Sequence, residues 1–200
     1  MTLPVGKAAF TREMIVSRKL NPTLRAWAVM LLVVMASYAQ ATRVGDTIAG
    51  FTLLDQQGER IELADFLGTP LVLNVWATWC PPCREELPLF VQAYNEVNAP
   101  AETPQLHFVL LNNNERFEVA RDFLEREAIT LPAALDAPRD WSGEDALDST
   151  LNVLRNYRVR GMPTTFFIDA EGIVQGITIG LVSPQELQRQ LAQLGVAWQP

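Results

Sequence analysis

The only two cysteines of this 200-residue chain sit three positions apart, in Trp79-Cys80-Pro81-Pro82-Cys83. An apolar run, Leu71 to Trp76, comes just before them, and a helix-like run from Glu85 comes just after. A strand that feeds a helix through such a motif puts Cys80 at or near the helix N-terminus. There the helix dipole and free backbone N–H groups stabilise a thiolate, the attacking species in thiol–disulfide exchange. The pattern calls for a strand–turn–helix unit whose turn carries a redox pair, with Cys80 as nucleophile and Cys83 as resolving partner.

Other uses of the pair fit less well. A structural zinc site takes four Cys or His ligands, and the chain adds only His107 to its two cysteines. Haem attachment needs His after the second cysteine, and Arg84 stands there. A disulfide closing so small a loop removes little unfolded-state entropy and makes a poor staple. Pro81 and Pro82 bring no backbone N–H, which leaves fewer donors for a Cys80 thiolate and leans toward a reducing pair.

Three blocks carry a family resemblance. The segment from Val75 through the cysteines to Pro88 resembles the active-site segment of thioredoxin-fold proteins. It is closest to the TlpA/ResA-like branch of exported or membrane-tethered thiol–disulfide oxidoreductases. Arg160-Gly161-Met162-Pro163-Thr164-Thr165-Phe166-Phe167-Ile168-Asp169 resembles the proline segment and following strand of that branch, and Phe51 to Gly68 resembles its lead-in hairpin and helical turn. The resemblance spans roughly residues 44–196 and implies an α/β fold. This is a thioredoxin-like three-layer sandwich with an extra N-terminal hairpin and a mixed central sheet flanked by helices.

The same resemblance implies site roles. Pro163 is the expected cis-proline facing the disulfide, and Met162 offers its backbone to a substrate strand. Trp79, Pro81 and Pro82 join them on the substrate side. Asn74 stands six residues before Cys80, where thioredoxin has a buried aspartate, and an amide cannot take that proton. Glu86, one helical turn after Cys83, matches the branch's glutamate and is the expected acid/base or pKa-tuning group; a solvated helix-start carboxylate is the alternative. No metal site is expected, and no cofactor beyond the redox-active Cys80–Cys83 disulfide.

Residues 1–41 differ from the rest. Five basic residues (Lys7, Arg12, Arg18, Lys19, Arg25) stand against Glu13 alone, followed by an apolar stretch from Ala26 to Ala36 and then Ala39-Gln40-Ala41. This is the layout of a secretory signal. Its apolar core is shorter than the roughly 20 residues that span a bilayer. Cleavage after Ala41 is the first reading, with Met14 as an alternative start and an uncleaved signal anchor as the rival. The expected division is therefore 1–41 signal peptide or anchor, and 42–200 thioredoxin-like domain. The expected location is the periplasm or the outer face of the cytoplasmic membrane, where disulfides persist.

In residues 42–200, eleven arginines and no lysine face 22 acids, a net −11. That balance argues against nucleic-acid binding, which wants a basic face. Phe51–Asp55 and Arg60–Leu63 read as a hairpin, and Leu71–Trp76, Leu106–Leu111 and Leu131–Leu135 as strands. Helices are predicted from Glu85 to about Asn98, with a kink at Pro88, and over Arg116–Ala128 and Thr150–Tyr157. A second hairpin, Thr164–Asp169 with Ile173–Ile179, leads to a last helix to about Leu194. Ser183 caps that helix, with Pro184 in its first turn and Glu186 completing a capping box.

The resulting function is an exported thiol–disulfide oxidoreductase that reduces protein disulfides. The resemblance implies re-reduction by a membrane electron donor of the DsbD/CcdA kind, with cytochrome c maturation as one pathway. Two alternatives stay open. A peroxiredoxin-like peroxidase shares the elaborated fold, but Ala77 holds the position where such sites want Thr. A copper-delivery protein would bind metal through the cysteines and His107.

Overall fold

The computed structural model describes residues 42–99, 102–143 and 146–200. The expected signal or anchor, 1–41, lies outside the described residues. Seven strands and four helices follow in order: β1 (Thr52–Leu54), β2 (Arg60–Glu62), β3 (Leu71–Trp76), α1 (Pro81–Asn98), β4 (His107–Asn112), α2 (Phe117–Arg126), β5 (Ala133–Ala134), α3 (Thr150–Tyr157), β6 (Thr164–Ile168), β7 (Val174–Ile179) and α4 (Pro184–Gln193). A 3-10 turn over Leu63–Phe66 closes the first hairpin.

The main sheet has the order β5-β4-β3-β6-β7. β3 pairs in parallel with β4, and antiparallel with β6. All six residues of β3 are buried, which explains why its sequence is too apolar to alternate. The antiparallel β1–β2 hairpin forms a separate two-stranded sheet.

Side-chain alternation along the strands divides the core in two. Val72 and Trp76 of β3, Phe108 and Leu110 of β4 and Phe167 of β6 face Leu87 and Phe90 of α1, Phe123 of α2 and Leu187 of α4. Leu71, Leu73, Val75, Val109, Phe166 and Ile168 face the opposite way, onto Leu53 and Ile61 of the hairpin and Val153 and Tyr157 of α3. The outcome is the expected three-layer mixed α/β sandwich with its additional hairpin.

Three local differences have physical causes. α1 starts at Pro81 rather than Glu85, because the first helical positions need no N–H and tolerate proline. The helix also runs on through Pro88, which supplies no donor to the carbonyl one turn earlier. In α4, Ser183 Oγ accepts from the Glu186 N–H at 3.2 Å. The Glu186 carboxylate turns instead to Arg189 and Gln190, so only half of the expected capping box forms. Among the described residues, no helix is long and apolar enough to cross a membrane.

Leu73 is wholly buried between the hairpin and α3. We expect Leu73→Ala to cost about 2–5 kcal/mol, read from the midpoint of urea unfolding. A loss well under about 1 kcal/mol would show that this face of β3 is not packed core.

Candidate active site

β3 ends at Trp76, and four residues later Cys80 becomes the N-cap of α1. Cys80 and Cys83 are joined in a disulfide with Sγ–Sγ 2.03 Å. Three backbone N–H positions would normally open toward the cap of such a helix. Pro81 and Pro82 occupy the first two and donate nothing, so Cys83 supplies the first N–H, and it donates to Cys80 Sγ at 3.3 Å. The sequence reading expected fewer donors for Cys80, and the helix start holds this one.

Cys80 is less open than expected for a nucleophile. It is 4% exposed and Cys83 is fully buried, because both side chains belong to the core on the α1 face of the sheet. Of the two, Cys80 lines a groove of about 850 Å³, together with Trp79, Pro81, Pro82 and Met162. Trp79 stands at its lip, 63% exposed. His107 is remote from this place: it pairs with Leu71 at the start of β3, while the cysteines follow the other end of that strand. Five residues of extended chain separate the two ends by about 17 Å. His107 therefore does not complete a metal-ligand set with the cysteines.

The Met162–Pro163 peptide bond is cis. Thr164, the next residue, pairs with Val75 near the C-terminal end of β3, so the proline segment lies at the sheet end from which the cysteines depart. The Pro163 carbonyl accepts from Gly180 N–H at 2.8 Å. Asn113 Nδ2 donates to the Met162 sulfur, which seats that side chain in the groove wall.

Glu86 is not a solvated helix-start carboxylate: it is 1% exposed. Its Oε1 accepts from Asn74 Nδ2 at 2.7 Å, and its Oε2 accepts from the Val182 N–H at 3.0 Å. Asn74 also donates to Thr165 Oγ1 at 2.9 Å, its direct neighbour across β3 and β6. Removal from water pushes the Glu86 pKa up from 4.5 to about 7, against the two hydrogen bonds that favour its charged form. The amide at position 74 thus does not leave the inner site without an ionisable group; it holds one supplied by α1.

Some site residues escaped the sequence reading. Glu115 accepts from Thr78 N–H and Thr78 Oγ1, at 2.8 and 2.5 Å, and from Asn112 Nδ2 at 2.9 Å. It clasps the loop that delivers Cys80, and nothing in the sequence pointed from Glu115 to Thr78. Thr165 and the Val182 backbone were also missed, since only the sheet register and the turn after β7 bring them to Glu86. Arg155 in the last turn of α3, and Arg158 and Arg160 just beyond it, were missed as well, since their place in the groove wall depends on tertiary packing.

A Cys-x-x-Cys disulfide at the start of a helix, beside a groove and on this sheet order, is the arrangement of a thioredoxin-like thiol–disulfide oxidoreductase. The chain belongs to the AhpC/TSA family, whose model matches residues 44–177. It is 31% identical over 154 residues to the thiol-disulfide oxidoreductase ResA of Geobacillus kaustophilus, covering 77% of this chain and 79% of that one. The ResA of Bacillus subtilis is 31% identical over 139 residues, with 70% and 69% covered. A crystal structure from Chlorobium tepidum assigned as a thiol:disulfide interchange protein DsbE matches with TM-score 0.63 at 29% identity, covering 78% of this chain and all of that one. StoA of Bacillus subtilis matches with TM-score 0.54 at 25% identity, with 72% and 96% covered.

The raised Glu86 pKa makes stability depend on pH. Between pH 4.5 and about 7 the native protein keeps a proton on Glu86 that the unfolded chain has lost. The contribution is full below pH 4.5 and is lost as pH rises through the folded value, at up to about 1.4 kcal/mol per pH unit. We expect Glu86→Gln to lack this slope when unfolding free energies are compared across that window. Equal slopes in both proteins would show that Glu86 is not the group responsible.

Proposed function

We propose that residues 42–200 act outside the cytoplasm as a reductase of protein disulfides, after export by residues 1–41 as a cleaved signal or an anchor. The observation that carries this reading is the lone cysteine pair, closed at the start of α1 with only Cys80 lining an open groove. The Cys80 thiolate attacks one sulfur of a substrate disulfide and expels the other as a thiolate. Cys83, as thiolate, then attacks Cys80 Sγ, releases the second substrate sulfur and closes Cys80–Cys83. Two electrons and two protons pass to the substrate in all.

Glu86 is the proton acceptor and donor for the inner cysteine, since its pKa of about 7 suits both directions near neutral pH. Asn74 can serve either form. Its Nδ2 donates to the carboxylate, and a turn of the amide would present its Oδ1, which has no partner among the described residues, to a protonated Glu86. Substrate chain lies along Trp79, Pro81 and Pro82 and pairs with the backbone of Met162 before Pro163. The pair works without metal or other cofactor. It is re-reduced by two electrons from a membrane dithiol carrier of the DsbD/CcdA kind, and apocytochrome thiols in cytochrome c maturation are one substrate class.

Two measurements test the reading. Thiol labelling of residues 42–200 across redox buffers should give a reduction potential near about −270 mV; a value near about −120 mV would make the protein an oxidant. Cys83→Ser should trap a mixed disulfide at Cys80 with a disulfide-bonded substrate, visible as a mass increase that dithiothreitol reverses. Peroxide consumption by Cys83→Ser at the wild-type rate would favour the peroxidase alternative.

A further inference from the structure

The groove beside Cys80 has a charge opposite to that of the body that carries it. Residues 42–200 hold twice as many acids as arginines, 22 against eleven, yet no carboxylate lines the groove, and Arg155, Arg158 and Arg160 do. All three are exposed. Among the described residues, no ion pair or hydrogen bond of their side chains ties them to an acid. Of the other eight arginines in residues 42–200, Arg60, Arg116, Arg121, Arg126 and Arg189 pair with an acid, while Arg84 lies over the Phe123 ring; what sets Arg155, Arg158 and Arg160 apart is that they share one groove wall.

Basic residues near a helix C-terminus also complement the helix dipole. That accounts for Arg155 in the last turn of α3 and for Arg158 at its cap. It does not account for Arg160, two residues further on, nor for the absence of acids from the rest of the wall. Arg158 moreover holds φ at +52°, a left-handed conformation normally left to glycine or asparagine. Apolar surface from Trp79 and Leu151 completes the same groove.

We propose that this groove selects disulfides borne on acidic polypeptide segments, with carboxylates a few residues from the reacting cysteine. The inference rests on the reductase reading above and adds the substrate class. Range decides between the local and the overall charge. Screening at physiological salt acts over about 8 Å, so a segment lying in the groove meets the three guanidinium groups at contact distance, while the acids on remote faces are attenuated. Farther out, the acidic body repels a negative partner and leaves the groove as its favoured point of approach.

The test uses the reduced protein and two disulfide-bonded peptides that differ only in having Glu or Gln beside the cysteines. Each rate constant is divided by that peptide's rate with dithiothreitol, which removes differences in intrinsic disulfide reactivity. We expect the Glu peptide to be preferred about tenfold at low ionic strength, with the preference shrinking toward about twofold in ~0.5 M salt. The triple variant Arg155→Gln, Arg158→Gln, Arg160→Gln should bring the ratio close to one, and the triple Lys variant should keep it. Equal rates in the wild type, a preference for Gln, or a Glu preference that survives the Gln variant would each overturn the proposal. Reduction of neither peptide would overturn the reductase reading beneath it, whereas reduction of both at equal rates removes only the acidic selection.

Discussion

Strand β3 is the member on which the site depends. It lies at the centre of the five-stranded sheet, buried on both faces, and passes directly into the cysteine turn. Its pairing with β6 fixes where the cis-proline segment sits relative to Cys80, and its pairing with β4 carries Asn112 to the same end. A slip of one residue would turn Asn74 away from α1 and present Leu73 or Val75 in its place. The apolar residues alternating with Asn74 oppose that slip, because each face of β3 is packed against its own half of the core.

That register allows a carboxylate to sit inside an apolar layer. A buried ionised group without partners would be too costly and would protonate instead. Glu86 stands between these limits. Two donors, one from Asn74 and one from the Val182 backbone, offset part of its desolvation, and burial still raises its pKa to about 7. The partners come from β3 and from the turn after β7, so α1, the central strand and the last helix connection converge on one side chain. Thr165 steadies the amide from the neighbouring strand.

The outer side of the site follows another logic. Trp79 and the prolines present apolar, donor-poor surface around Cys80, and the clasp of Glu115 on Thr78 holds the loop that delivers it. The arginines at the C-terminal end of α3 and just beyond it approach from a different part of the chain. Inner and outer halves of the site thus differ in kind: a buried carboxylate with a raised pKa in the core, and a positively charged wall facing solvent.

Much of this was legible in the linear sequence. Motif spacing and the apolar run of β3 pointed directly to the redox pair and the central strand, because these are local patterns the chain displays; the proline segment and the sandwich were legible through the resemblance that those blocks carry. Glu86 was legible as a candidate from its position one turn after Cys83, but its burial and its partners were not. Val182 lies 96 residues away and Thr165 lies 91 residues from Asn74, and only strand register brings them together. The nearly complete burial of Cys80 and the gathering of Arg155, Arg158 and Arg160 around an acid-free groove were likewise decided by tertiary packing. The sequence by itself determined which chemistry the chain carries; the tertiary structure decided which groups lose water and which charges meet at one surface, since desolvation and proximity are properties of the packed molecule.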